Sequence, residues 1–226
     1  PYTTLFRSGQ SLIDRAWLWH APLDTVRQRL QWTGAVAQLA GEQPTVIFAP
    51  HFVGLDAGGL ALTLHSSTPV AFIYVTQSNP DLENWVNQGR ERGGPVKPYF
   101  RHDGVKQIVT ALRHGEKLHL SPDMDLGAED SVFVDFMGVS AATVTSLPRF
   151  AKLGRAQVVP MLTRMTPQGY TIEVLPAWTD FPSGDLTADT TLMNARLAQW
   201  VATMPSQYYW VHKRFKTRPQ GQASVY

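Results

Sequence analysis

The residues best suited to chemistry are His51 and Asp56, in the run Thr45-Val46-Ile47-Phe48-Ala49-Pro50-His51-Phe52-Val53-Gly54-Leu55-Asp56. A neutral imidazole can take a proton from an alcohol, while a carboxylate on its other nitrogen fixes the tautomer and stabilises the imidazolium. Five residues apart, the two side chains sit about 140° around an ideal helix and on opposite faces of a strand. They meet only if His51 lies in a turn and Asp56 in the first turn of the helix that follows. Pro50 and Gly54 supply the turn, and the positive end of the helix would keep Asp56 ionised. Spacing alone is weak evidence, because seven histidines and 18 acidic residues produce such pairs by chance. The place at the end of an apolar strand strengthens it; a surface histidine with an incidental acidic neighbour remains the alternative.

Other catalytic arrangements are poorer. With no cysteine in the chain, disulfides, cysteine zinc ligands and a cysteine nucleophile are excluded. Gly138-Val139-Ser140-Ala141-Ala142 fails as a G-x-S-x-G elbow at its last position, and no Walker loop, H-E-x-x-H or dinucleotide fingerprint occurs. Asp123 and Asp125 could ligate magnesium, but two acids in a loop are more often turn formers or partners of nearby cations. No metal site is expected.

The elements that must position these residues alternate. Helical patterns cover Ser11 to His20 and Leu23 to Ala40, the second ending before Gly41. Thr45 to Ala49 is a short apolar run of buried-strand type, followed by a helix from about Leu55 to His65 and a strand at Val70 to Val75. Asn79-Pro80 starts a helix that runs to about Arg90. Asp103 is placed to cap another, in which Val105, Ile108, Val109 and Leu112 keep helical spacing until Gly115. Lys117 to Leu120, Val132 to Phe136, Gln157 to Thr163 and Tyr170 to Leu175 read as strands, and a last helix spans about Thr190 to Thr203. Pro148 limits any helix near Thr143 to Leu153. Alternation of this kind implies an α/β sandwich around a largely buried sheet, with strand order left open.

At 226 residues the chain can form one sizeable domain, and its 43% apolar and 17% charged shares are those of a globular protein. The net charge of +2 points to no strongly charged partner, but its distribution is uneven. No acidic residue follows Asp189, while Arg196, Lys213, Arg214, Lys216 and Arg218 make the end basic, beside Trp200, Tyr208, Tyr209 and Trp210. Aromatics beside cations suit a membrane interface or a phosphate-bearing ligand; a solvated basic tail is the plainer reading. No run approaches the ~18 apolar residues needed to span a bilayer, and there is no signal peptide pattern. Residues 1–8 (Pro1-Tyr2-Thr3-Thr4-Leu5-Phe6-Arg7-Ser8) match the translation of a common short-read sequencing adapter, so the domain is expected over 9–226 with its true start lost.

Several stretches together resemble the lipid A biosynthesis late acyltransferases, of lauroyl and myristoyl type, which are related to the glycerophosphate acyltransferases. They are Ala49-Pro50-His51 to Asp56, Ser121-Pro122-Asp123-Met124-Asp125-Leu126-Gly127, and Ser131 to Val139 followed by Ala141-Ala142-Thr143. Val158-Val159-Pro160 and the long closing run Gln207 to Pro219 complete them. The resemblance covers nearly everything from about residue 10 onward. It implies a single α/β domain with a mixed sheet, and transfer of a fatty acyl group from an acyl carrier protein thioester to a hydroxyl of the lipid A precursor. His51 would be the general base and Asp56 its orienting acid. Gly89-Arg90 matches a family glycine–arginine pair, so Arg90 would stabilise the oxyanion or bind substrate phosphate. Asp125, Lys213 and Arg214 match family positions and are carried over as substrate-binding residues. No cofactor is implied; the partners would be the acyl carrier protein, a glycolipid acceptor and the cytoplasmic face of a bacterial inner membrane. Family members begin with a hydrophobic segment that this sequence does not show. Transfer to another polar lipid (a phosphatidylinositol mannoside, a lysophosphatidate or an amino-acid lipid) and a non-catalytic membrane-binding module are the alternatives.

Overall fold

The structure, a computed structural model, describes residues 2–100 and 104–226. The chain opens with helix α1 (Tyr2–His20) and the short helix α2 (Leu23–Gln28), then enters strand β1 (Leu30–Gly34). The continuous helix expected over Leu23 to Ala40 is therefore corrected to a helix, a strand and a 3-10 turn at Val36–Leu39. Trp32 and Thr33 favour extended backbone. Gly34, at φ 79°, ends the strand so close to Val174 that a Cβ would lie 2.2 Å from its carbonyl oxygen.

Strand and helix then alternate as the sequence predicts: β2 (Thr45–Phe48), α3 (Leu55–His65), β3 (Val70–Tyr74), α4 (Pro80–Glu91), β4 (Val96–Phe100), α5 (Val105–Arg113) and β5 (Lys117–Leu120). The Asn79 side chain accepts from the backbone N–H groups of Asp81 and Leu82, which caps α4 as expected. The expected Asp103 cap of α5 lies outside the described residues. β4 is not among the strands expected from the sequence; it carries Pro98, which an edge strand tolerates.

A hairpin follows, β6 (Ser131–Phe136) and β7 (Val139–Val144), turned by Met137 and Gly138 at φ 57° and 82°. Helix α6 (Ser146–Gly154) accommodates Pro148 because it falls in the first turn, where a backbone N–H has no helical acceptor. Strands β8 (Gln157–Thr166) and β9 (Gly169–Val174) precede α7 (Leu186–Thr203), whose N-cap is Asp185.

Seven strands form one sheet in the order β1-β9-β8-β2-β5-β3-β4. Its neighbours run parallel except β8 and β9, so the sheet is mixed, as the resemblance implies. Every residue of β2 and of β5 is buried, and side chains alternate between two cores. Val46, Phe48, Leu118 and Leu120 join one core with α5, α6 and α7. Ile47 and Ala49 join the other with α1, α3 and α4. Each such large apolar side chain stabilises the fold by roughly 1.5–3 kcal/mol on burial. Glycine sets two close approaches. A Cβ at Gly58 would lie 2.2 Å from Thr163 Oγ1, so α3 can seat on β8; one at Gly89 would lie 2.2 Å from the Trp19 ring, so α4 can seat on α1.

Candidate active site

The carboxyl ends of β2 and β5 lie side by side, Phe48 opposite Leu120 in register, so the loops leaving them meet. That is where α/β sheets ordinarily build sites. The first loop carries His51; the second carries Ser121, Asp123 and Asp125. Ser121 Oγ donates to the Ala49 carbonyl at 2.5 Å and ties the loops together.

His51 meets a carboxylate that lies far away in sequence. Its Nδ1 stands 2.8 Å from Asp123 Oδ1, and its backbone N–H donates to Asp123 Oδ2 at 3.0 Å. A carboxylate against Nδ1 selects the tautomer with the proton there, which leaves Nε2 as the basic nitrogen. Asp123 is 1% exposed. Burial alone would push its carboxyl up, but His51, by charge and two hydrogen bonds, and Arg214 outweigh this and hold it below the usual carboxylate range. The acid on the imidazole is thus Asp123, and the expected orientation of His51 by Asp56 is corrected.

Asp56 sits in the first turn of α3, as expected, but points to a different set of partners. Arg15 of α1 approaches its Oδ2 at 2.6 and 2.8 Å, and Arg90 of α4 approaches its Oδ1 at 3.3 Å. Burial pushes this carboxyl up too, and the two guanidinium groups reverse the shift. Three helices are thereby joined by one carboxylate. Arg90 is also stacked over Tyr74, its guanidinium carbon 4.8 Å from the ring centre. Arg15 escaped the sequence reading, being 41 residues from Asp56 with no local signal.

The closing run of the chain proves to be an internal brace. Phe52 and Tyr208 form an isolated antiparallel bridge, Val53 N–H donates to the Gln207 carbonyl, and Tyr209 N–H donates to the His51 carbonyl. Tyr208 Oη also donates to the Asp123 carbonyl at 3.3 Å. The Asp125 carboxylate is buried and already taken, one oxygen by Gly127 N–H at 3.0 Å and the other by Thr217 N–H at 2.8 Å. Arg214 is 1% exposed, donates to the Ala142 carbonyl and Thr143 Oγ1, each at 2.7 Å, and lies over Phe136. Asp125 and Arg214, carried over from the resemblance as substrate-binding residues, are buried and hold loops and hairpin together. Lys213 is exposed, near the Tyr226 ring.

His51, Asp56 and Arg90 line one cavity of about 510 Å³, within the usual range for ligand pockets. It wraps the ends of β3 and β5. On the side of α5 and α6 its walls carry Ile73, Ile108, Leu120, Val144 and Phe150, together with Asp130, Ser146 and Arg149. On the side of α3 and α4 they carry Leu55, Leu60 and Phe72 as well as Asp56, Arg90, Tyr74 and His119. Among the described residues no cluster of histidine and acidic side chains is arranged to hold a metal ion.

A histidine-bearing loop at the end of a largely parallel sheet, beside a cavity lined by both apolar and charged side chains, makes an α/β site at the carboxyl ends of the strands. Residues 3–217 match the family described as bacterial lipid A biosynthesis acyltransferase, and the chain belongs to that family. It is 34% identical over 180 residues to a Haemophilus influenzae protein named lipid A biosynthesis acyltransferase, covering 78% of this chain and 55% of that protein. It is 31% identical over 229 residues to the lipid A biosynthesis palmitoleoyltransferase of Escherichia coli K12, covering 98% of this chain and 73% of that protein. With the lauroyltransferase of the same organism the identity is 29% over 227 residues, covering 96% and 72%. The chain thus spans about half the length of the first of these relatives and under three quarters of the others.

Proposed function

We propose that this chain transfers a fatty acyl group from an acyl carrier protein thioester to a hydroxyl of a lipid A precursor, with His51 as general base. The observation that carries the reading is the imidazole held by a buried, ionised Asp123 and lining a cavity with many apolar side chains. The acceptor's hydroxyl gives its proton to His51 Nε2 as its oxygen attacks the thioester carbonyl carbon. The resulting oxyanion needs donors, which Arg90 or backbone N–H groups would supply. Collapse breaks the carbon–sulfur bond, and His51 returns the proton to the departing thiolate. The balance needs no acyl-enzyme and no cofactor. The acyl chain would lie along Ile73, Ile108, Leu120, Val144 and Phe150, since a fatty chain gains by burial against apolar side chains.

The proposed setting is the cytoplasmic face of a bacterial inner membrane. No helix among the described residues is long and apolar enough to cross a membrane. Leu12 and Ile13 of α1 are 57% and 73% exposed, a face that a lipid surface would cover.

The test is transfer from an acyl carrier protein thioester to a tetra-acylated lipid A precursor, read by lipid mass beside His51→Ala. One added acyl group is expected, with turnover in the variant reduced by ~10²–10⁴. Wild-type turnover in His51→Ala would end the assignment of the base. No transfer across several chain lengths would move the acceptor to another polar lipid.

A further inference from the structure

Helices α5 and α6 carry cations on their outer faces and no acid anywhere. Lys106 and Arg113 stand on α5, Arg149 and Lys152 on α6, and Arg155 directly after it, all exposed. Lys106 and Arg113, seven residues apart, share one face of their helix. The two helices lie side by side. Arg113 Nε donates to the Leu153 carbonyl at 2.9 Å, and a Cβ at Gly154 would lie 2.9 Å from Leu112 Cδ1. These cations therefore belong to one surface. Among the described residues only Asp130 comes within ion-pair distance of any of them, 3.4 Å from Arg149, and that pair is open to water.

Helix chemistry accounts for part of this surface only. Cations suit the last turn of a helix, where Arg113, Lys152 and Arg155 stand. Lys106 and Arg149 stand near the starts of their helices, where the dipole disfavours positive charge. Both are at the cavity: Arg149 lines it, and Lys106 follows Val105, which lines it too. Val105 and Leu153 add exposed apolar side chains among the charges. Position in the fold then selects the partner. α5 and α6 cover one face of the sheet and α1 the other. The basic surface thus lies across the sheet from Leu12 and Ile13, the face of α1 assigned above to a lipid surface. A soluble acidic protein fits both the charge and the direction.

We propose that the α5–α6 face is the docking surface for the acyl carrier protein, an acidic partner, with Lys106, Arg113, Arg149 and Lys152 as its principal contacts. This rests on the acyl-transfer reading, which requires a thioester carrier and leaves its place of contact open. The same two helices give Ile108 and Phe150 to the cavity. A carrier held there delivers its acyl chain over the rim that Val105 and Arg149 share, toward His51. Exposed charges steer encounter and fix register more than they add raw affinity, and salt screens them.

The test is binding without an acceptor lipid, by titrating the whole chain into fluorescently labelled tetradecanoyl-acyl carrier protein and reading anisotropy at two salt concentrations. The wild type is expected to bind, and more weakly in high salt. Lys106→Glu combined with Lys152→Glu should weaken binding about tenfold or more at low salt, with the thermal midpoint retained. Arg27→Glu combined with Lys216→Glu makes the same change in net charge away from this face and should weaken it less than twofold. Equal losses in the two double variants would mean attraction by net charge alone and overturn the proposal. So would absence of saturable binding in the wild type. Phosphatidylglycerol vesicles, tested in parallel, separate the other occupant. If the Lys106 and Lys152 double variant loses vesicle binding but keeps the carrier, the face meets lipid and the proposal falls. Because no transfer is measured, a chain that docks the carrier here yet moves no acyl group would sink the catalytic reading alone.

Discussion

Two carboxylates hold residues that line the cavity, Asp123 holding His51 and Asp56 holding Arg90, and they do different work. Asp123 is buried, reached by the ring and the backbone N–H of His51, and braced from behind by Tyr208. Asp56 is 18% exposed at its side chain and shared by two arginines from two helices. Both are held ionised against the cost of burial, one by the histidine loop and Arg214, the other by Arg90 and Arg15. A negative charge beside Nδ1 fixes the imidazole's tautomer; a negative charge between two guanidinium groups makes a joint. Proximity in sequence to the histidine does not decide which acid acts on it.

The largest effect that should separate the two is on turnover. Asp123→Asn keeps the shape but removes the charge that fixes the His51 tautomer, so kcat should fall by ~10²–10⁴ with the fold retained. Asp56→Asn should reduce kcat far less, by about tenfold or under. Equal losses in both, measured with matched circular dichroism spectra, would dissolve the distinction.

Stability should rank them the other way. Removing the Asp56 charge leaves Arg15 and Arg90 facing each other, at a cost on the order of 2 kcal/mol by urea unfolding. A double-mutant cycle of Arg15→Met with Asp56→Asn should show coupling of about 1 kcal/mol. Additive losses would mean that the ion pair adds nothing beyond its solvated surroundings.

The smallest effect concerns pH. His119 binds its proton near 6.5 when unfolded but only near about 3 when folded, so the unfolded chain holds more protons between those values. Its contribution is full above about pH 6.5 and is lost as pH falls toward about 3. The carboxylates, lowered below about 4, lose theirs only in more acid solution. The thermal midpoint should therefore rise from pH 5 to 6.5, and less steeply in His119→Leu. Identical slopes would show that the ring charges without penalty.

Much of this was legible in the sequence, and the gaps share a cause. A strand ending at Phe48 just before His51, a helix beginning at Leu55 and the alternation around them follow from apolar runs, Pro50 and Gly54, all local signals. Asp123 was visible as an acid in a loop. Its pairing with His51 depends on β2 and β5 being neighbours, across 72 residues of chain. β1 was read as helix because its edge pairing with β9, distant in sequence, decides its backbone. The basic end looked like a surface because residue type reveals charge, not direction. Arg214 turns inward to the hairpin because two acceptors wait there, the Ala142 carbonyl and Thr143 Oγ1.

The most direct measurement of which acid serves His51 is its imidazole tautomer, read by nitrogen-15 and proton NMR at neutral pH in the wild type and the two asparagine variants. The account predicts a ring carrying its proton at Nδ1 in the wild type, unchanged in Asp56→Asn and lost in Asp123→Asn. A ring protonated at Nε2 in the wild type, or a tautomer that follows Asp56 instead, would contradict it.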